Sequence, residues 1–408
     1  VAYLKVSEPV TDSTPIHLSA SAISAFKACP ERYHKAYEEG IRPLEDTDGL
    51  RIGTHWHSIH EAYRHHDEEM VYETGLEPFA AAIAVLDGLY AVIPATKTAE
   101  EWTAERAILA GCFTAWVHLM PEPAPTLVTE LSFELPLLHP ATGLPVAGVD
   151  IRGKIDRLVR VGPKRIVIRD YKSTSKQISA DSTFWAHLRL DTQISLYIYA
   201  ARMMQAAGDL REYGITDDDE IVGAWYDVWH KPTITAKMLT QAATKAFIET
   251  GEYMEQKFEI EHAVTSDGME ASSVRVNGID AEIEPGKKGF AVRETPDMFC
   301  SRLMMDCVER PDFYFASREI TRTDADMQTF TAQLYHICQA IKAMRRGTHW
   351  YQNEQQCEAT FRCPYIPCCY SHIDTSDGHT PAGFRRIERQ QVASVITSLT
   401  IEQEHTEL

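Results

Sequence analysis

The clearest alternation of apolar and polar positions lies in the middle of the chain. In LVTELSFELPL, Leu127, Thr129, Leu131, Phe133 and Leu135 share one face at period two, which predicts a half-buried strand. The next two segments, AGVDIRGKIDRLVRV and KRIVIRDYKST, are apolar strands joined by a short turn at Gly162 and Pro163, and predict a β-hairpin. Around this centre the spacing turns helical. SAISAFKACPERYHKAY carries Ile23, Phe26 and Tyr33 at near-helical intervals, with Ser19 or Ser21 as a cap and Pro30 imposing a break or a fresh start next to Cys29. Residues 53–70 predict a helix striped by Trp56, Ile59, His60 and Tyr63, and 77–92 and 100–119 predict two more. Farther on, 185–207 predict one long amphipathic helix, IVGAWYDVWHK a strand and 236–260 a helix, while 262–292 are polar and Gly-containing with short strands such as SSVRVNG. A helix at 296–310, a strand at FYFASREIT and a helix at 324–346 complete the pattern. The first eighteen residues are polar and Pro-containing and predict a flexible or extended lead-in. No fixed-period repeat is present. The sum is a mixture of α and β whose one clear sheet core sits mid-chain.

Composition narrows the class. With 408 residues, 44% apolar and 24% charged, the chain matches a globular protein with a sizeable core and excludes collagen, coiled coil and wholesale disorder. No run approaches the roughly 20 apolar residues of a membrane span, and no basic then apolar segment opens the chain, so the expectation is a cytoplasmic protein with no membrane partner. The balance of 40 basic against 59 acidic residues, a net charge of −19, opposes loose adhesion to a phosphate backbone. Contact with nucleic acid must then be local, and Lys154, Arg157, Arg169, Lys172 and Lys176 offer a basic lining for it. Of the 9 cysteines, Cys357, Cys363, Cys368 and Cys369 crowd one short stretch, which in a reducing compartment points to metal ligation. Cys112, Cys300, Cys307 and Cys338 lie in apolar helical contexts and read as small buried hydrophobes.

The candidate chemistry lies on the hairpin. Asp156 in GKIDR and Asp170 in RDYKS are about equally far from the turn, hence near neighbours across the ladder, and Lys172 shares a strand face with Asp170. A surface salt bridge is the plain reading of an isolated D-x-K. Here the charges interrupt apolar strands (Ile151, Ile155 and Leu158; Ile166, Val167 and Ile168), and charges beside a buried sheet are usually paired or bound to metal. Two carboxylates and an ammonium suit phosphodiester hydrolysis: oxygen ligands hold Mg²⁺ or Mn²⁺, the metal activates water, and the lysine orients that water or stabilises the pentavalent phosphorane. A zinc protease fits poorly, because HSIHE does not match H-E-x-x-H.

These residues resemble the signature of the PD-(D/E)xK nuclease superfamily, specifically the RecB-like branch that includes the nuclease domain of AddB and the CRISPR-associated adaptation exonucleases. GTHWH, from Gly53 to His57, resembles the branch's upstream helix motif with its metal-binding histidine. Gln193 and Tyr197, in QISLY, resemble the Q-x-x-x-Y motif, in which the glutamine orders the lysine and substrate phosphate and the tyrosine approaches DNA. As i,i+4 neighbours they can present one polar helix face. Cys29, at an early C-P, together with Cys357, Cys363 and Cys369 of the CPYxxxC pattern, resembles the four ligands of a [4Fe–4S] clasp between chain ends, with Cys368 in an apolar residue's place. Four thiolates suit Zn²⁺ equally well on physical grounds. WYDVWHKP and the stretch Glu294 to Arg318 also look like phage-type members, with Arg318 a candidate phosphate contact. The chain departs from the pattern in three places: no proline precedes Asp156, Asp170 stands where glutamate is usual, and Cys357 is not followed by C-x₂-C spacing.

The resemblance implies an α/β fold, a restriction-endonuclease-like core sheet flanked by helices, with helical insertions and a C-terminal cysteine cluster. It implies one nuclease domain over 1–408 with its catalytic core at about 125–235. Metal ligands would be His57, Asp156, Asp170 and the Tyr171 carbonyl, and Lys172 would position water. The expected activity is a DNA exonuclease acting on single-stranded or frayed ends in recombination, repair or phage DNA processing, in a bacterial or phage-infected cell. No G-x-x-x-x-G-K-[ST] loop is present, EPGKKGF being the nearest, so a separate helicase or recombination protein is the expected partner. Two other classes compete: a noncatalytic DNA-binding or assembly subunit on the nuclease scaffold, against which the retained charges and Gln193 argue, and a zinc-stabilised interaction protein with an accidental D-x-K.

Overall fold

In the computed structural model, which describes residues 14–44, 47–65, 75–120, 124–264, 271–287, 289–359, 362–375 and 379–387, the mid-chain strands form the centre of a six-stranded mixed sheet. In chain order the strands are β1 (Ile16–Leu18), β2 (Ile41–Pro43), β3 (Thr126–Leu138), β4 (Pro145–Gly162), β5 (Arg165–Thr174), β6 (Glu220–His230) and β7 (Phe315–Thr321), and all but β2 belong to this sheet. β3 and β4 pair antiparallel along most of their length. β4 and β5 form the expected hairpin, with Gly162 opposite Arg165, so the turn falls on Pro163 and Lys164, one residue later than the sequence suggests. The second edge of β4 is shared. β1 runs parallel beside residues 149–151, β5 lies beside 157–162, and Asp156 sits between the two. β1 comes from the expected lead-in; Ile16 and Leu18 are buried against a strand more than a hundred residues away, a pairing that no local pattern announces.

The principal helices are α1 (Ala20–Ala28), α2 (Pro30–Tyr33), α3 (Asp48–His65), α4 (Pro78–Leu89), α5 (Ala99–Leu119), α6 (Thr183–Leu188), α7 (Thr192–Ala207), α8 (Pro296–Glu309) and α9 (Asp324–Gly347). Two layers cover the sheet. In the larger core, Ile194, Ile198 and Ala201 of α7 pack on Ile155, Ile168 and Ala224. In the second, Trp56 of α3 and Leu109, Phe113 and Trp116 of α5 pack with Tyr171, Trp229 and Leu303. Each large apolar side chain so buried contributes about 1.5–3 kcal/mol, which is why the sheet carries both layers. A third core, with Leu239, Phe247, Val274 and Val292, holds the short strands expected within 262–292, including Ala271–Val276.

Several expected helices are corrected. The helix expected at 53–70 begins earlier, at Asp48, and its residues 66–70 lie outside the described ones. The single helix expected over 185–207 is two, α6 and α7, because Asp191 leaves helical geometry and caps α7 with its side chain. The helix expected over 236–260 occupies only Gln241–Thr250. Gly251, with φ +68°, ends it in the left-handed conformation open to glycine, and short strands follow.

The two ends of the described chain are fastened together. Phe384–Arg386 pairs antiparallel with β2, Arg345 forms a buried ion pair with Glu38, and Asn353 donates its side-chain N–H to the Ala28 carbonyl at 2.9 Å. Among the described residues, no helix is long and apolar enough to cross a membrane.

Candidate active site

The side chains that define the site come from α3, β4, β5 and the start of α7. Gly53 brings α3 close to β5: a Cβ there would stand 3.3 Å from the Ser173 hydroxyl. One turn later His57 faces β4, with its Nδ1 3.2 Å from Asp156 Oδ2. Burial alone would lower the His57 pKa, yet Asp156 outweighs it and holds the imidazole above its ordinary value. Burial would likewise raise Asp156, but His57 and then Lys172 keep it below the usual carboxylate range. Gly153, three residues before Asp156, has a structural reason of its own. A Cβ there would come within 2.7 Å of the Phe133 ring and 3.0 Å of Tyr197, so GKID admits no larger residue without displacing both rings.

The β4–β5 ladder runs to Arg157 opposite Arg169, which makes Asp156 and Asp170 the next facing positions, at the place where the strands part. Lys172 Nζ stands 2.9 Å from Asp170 Oδ2 and 3.7 Å from Asp191 Oδ2, and donates to Gln193 Oε1 at 2.7 Å. Gln193 in turn donates from Nε2 to the Tyr197 hydroxyl at 3.2 Å. The structure therefore joins Asp170, Lys172, Gln193 and Tyr197 in one chain of contacts, with the lysine ammonium fixed between three partners. Burial pushes Asp170 up to about 6 against the pull of Lys172, with Asp156 adding repulsion, and among the described residues its buried Oδ1 has no hydrogen-bond donor. Lys172 is held above its ordinary value because Asp170 and Asp191 outweigh its burial. Tyr197 is buried, its ring edge-on to Phe133.

Asp191 is a participant that the sequence reading missed, although an aspartate just before an amphipathic run is a helix-cap signal. Glu61 and Glu130 were missed as well. Glu61 follows His57 by one turn of α3, and Lys154 lies between it and Glu130: its Nζ is 3.4 Å from Glu61 Oε1 and forms an ion pair with Glu130. Glu130 faces Asp156 in the β3–β4 register and carries φ +54°, a left-handed backbone that strains an L residue. Side-chain alternation along β4 changes phase at the same place, since Ile151, Ile155 and then Leu158 all enter one core. Burial pushes Glu130 up to about 7, with Glu61 adding to the rise. The His57, Asp156, Glu61, Glu130 and Lys154 side chains line a cavity of about 170 Å³, floored by His60 and Tyr171. The Tyr171 side chain stacks on His60 and accepts from Arg157 at 3.1 Å.

The expected basic lining is corrected in part. Arg169 is buried in an ion pair with Asp227 at 2.5 Å, away from solvent on both sides. Arg157 borders the cavity but bonds inward to Tyr171 and Thr126, and only Lys176 stands exposed. Arg318 lies over the Trp185 ring at 4.6 Å and donates to the Ala180 carbonyl.

Carboxylate oxygens beside an imidazole can hold a divalent cation, and the buried Oδ1 of Asp170, without a hydrogen-bond donor among the described residues, fits one. His57, Asp156 and Asp170 are more widely spread than a single closed shell. Among the described residues, the trio of His, Cys, Asp or Glu whose ligand atoms all fall within 4.8 Å is another one: His17, Glu134 and Asp150, which could hold a metal ion. It lies at the surface beside β1, with Glu134 exposed and already paired with Arg152 at 2.6 Å.

Cys29, Cys357, Cys363 and Cys369 lie near the fastened chain ends, with no three of their sulfurs within 4.8 Å of one another. Cys29 sits between α1 and α2, and its sulfur accepts from the Asn353 backbone N–H at 3.4 Å. Cys363 donates its backbone N–H to the Cys357 carbonyl at 2.8 Å, and Cys369 lies on the short helix Ile366–Tyr370. Burial pushes the Cys369 thiol up to about 11, and it lies within electrostatic reach of Cys363 and Cys29. Cys368 is buried, as are Cys112, Cys307 and Cys338, whereas Cys300 is half-buried.

A model of the PD-(D/E)XK nuclease superfamily matches residues 17–370. No curated protein matches the chain.

Proposed function

The chain belongs to the PD-(D/E)XK nuclease superfamily, and from that premise we propose that it is a divalent-metal-dependent DNA exonuclease of the RecB-like branch, working on single-stranded or frayed ends. The observation that carries this reading is the placement of Lys172: its ammonium is pinned by Asp170, Asp191 and Gln193 at the point where Asp156 and Asp170 face each other. A lysine with one ordinary surface partner needs no such enclosure. His57, Asp156, Asp170 and the Tyr171 carbonyl would hold Mg²⁺ or Mn²⁺. When bound, the ion supplies Lewis-acid polarisation of the scissile phosphate and activation of water. Gln193, itself held by the Tyr197 hydroxyl, fixes the direction in which Lys172 points, so the ammonium meets water and the developing phosphorane charge without reorganising. The superfamily supports nuclease chemistry in general, and the choice of DNA, of ends and of exonucleolytic mode is the proposal's own.

Cys29, Cys357, Cys363 and Cys369 would hold a [4Fe–4S] cluster with a structural role. Their position near the joined chain ends supports the reading, as does the burial of Cys368, which leaves Cys369 as the more accessible of the adjacent pair. Recombination, repair or phage DNA processing, with a separate helicase or recombination protein, is the setting such an activity would serve.

The deciding experiment follows end-labelled single-stranded and duplex DNA with anaerobically purified protein and Mg²⁺ or Mn²⁺, beside Lys172→Ala. Metal-dependent shortening that falls at least about 100-fold in the variant is expected. Equal inactivity of both proteins on every strand type, with metal content intact, would instead favour the noncatalytic scaffold.

A further inference from the structure

Two parallel pairs cross the cleft between α3 and the sheet. His57 meets Asp156; one helical turn along α3 and two residues back along β4, Glu61 meets Lys154. The two rungs are thus roughly 5–7 Å apart by helix and strand geometry. The first rung is the one assigned above to a divalent ion. The second already contains a cation, and its carboxylates are arranged around it: Glu130 adopts a left-handed backbone opposite Asp156 and pairs with the same ammonium. In enzymes that cleave phosphodiesters with two metals, the second ion sits about 3.5–4 Å from the first and neutralises the leaving oxygen.

We propose that Lys154 is the resident second cation of this cleft, its ammonium seated between Glu61 and Glu130 one rung beyond the divalent ion, where it takes over the electrostatic part of a second ion without occupying that ion's position, so that the site binds one divalent ion. The inference rests on the nuclease reading, since it presupposes an ion at the first rung. It gives each charged residue of the cavity a part. Lys154 presents fixed positive charge near Asp156, Glu61 and Glu130 hold it there, and the strain at Glu130 goes into aiming its carboxylate. No bond is made or broken by Lys154, whose part is electrostatic: as the phosphorus–oxygen bond to the leaving group breaks, the charge gathering on that oxygen faces the ammonium. A lysine is suited to such a place because it is a compact point charge on a flexible stem.

The test counts Mn²⁺ bound to the full chain by electron paramagnetic resonance titration, in a His17→Ala background that removes the surface trio. One Mn²⁺ per chain is expected with Lys154 in place, and none after Asp170→Asn. Lys154→Met leaves Glu61 and Glu130 without their ammonium, and the expected count rises to two, returning to one when Glu130→Gln is added. Lys154→Arg keeps the cation, and the count stays at one. Two ions with Lys154 present, one of them lost in Glu61→Gln, would overturn the proposal, as would a single ion in Lys154→Met. Should that last variant fail to fold, the counts with lysine and arginine decide alone. No Mn²⁺ at all in the parent protein sinks the nuclease reading instead, so the two failures are told apart.

Discussion

His60 is enclosed by rings: Tyr171 stacks on it at 4.1 Å, Trp116 meets it edge-on at 4.2 Å, and neither of its nitrogens has a hydrogen-bond partner among the described residues. Burial drives its pKa well below the ordinary histidine value, and burial brings His55, packed against Tyr90, down to about 4. Both are therefore neutral when folded, while the unfolded chain takes up protons near pH 6.5. Their stabilising contribution is complete above that value and drains away as pH falls toward 4, because the unfolded state then binds more protons. Thermal unfolding between pH 7 and pH 4.5 should show the loss, and His60→Phe should flatten it by on the order of 2 kcal/mol at the acid end. An identical slope in the variant would mean that another group sets the acid limit. The apolar surroundings of His60 were legible, since the stripe Trp56, Ile59, His60, Tyr63 placed it on a buried face. The pairing of His57 with Asp156 was not, because it spans α3 and β4, and only the resemblance singled that histidine out.

At the scale of elements, Asp191 joins two roles, capping α7 through the Gln193 N–H at 2.8 Å and facing Lys172. Asp191→Ala should lose about 1 kcal/mol of stability with the cap and also slow DNA cleavage, whereas Asp191→Asn, which keeps a capping oxygen, should recover the stability but not the full rate. Equal rates in both variants and the parent would reduce Asp191 to a cap alone. The β4–β5 hairpin was legible because its apolar strands and the turn signal beside Pro163 are local, although the turn itself falls one residue later than expected. What escaped depended on distance: β1 needs the edge of β4, and Glu130 acquires its position only from the β3–β4 register. The basic lining failed for a related reason. Arg169 lies within the same basic stretch as Lys172, but Asp227, on the neighbouring strand β6, claims it, and no local window contains both.

For the whole molecule, the fastening of the chain ends is the feature that the cysteine proposal turns on. The proposed cluster predicts a brown protein that contains iron and sulfide; Cys29→Ser and Cys369→Ser should each abolish that colour and metal content, while Cys368→Ser should retain both, and zinc in place of iron would rule out the cluster and leave a zinc clasp. Loss of ligation should also speed proteolysis at the joined ends, measurable by limited trypsin digestion against a sheet core that resists. The overall α/β architecture was legible from the order of strands and helices. Its closure was not, because β2 meets its partner strand only at Phe384–Arg386. That pairing imposes an order in time on biosynthesis. A ribosome delivers β2, Glu38 and Cys29 well before Arg386, and must translate that far before the last of their partners emerges, so this stretch stays unsealed while the sheet assembles behind it. Because the entropy of closing a loop grows only with the logarithm of its length, the delay adds little to the thermodynamic burden. It lengthens instead the interval in which an unpaired strand and a lone thiol are open to chaperones, proteases and oxidants.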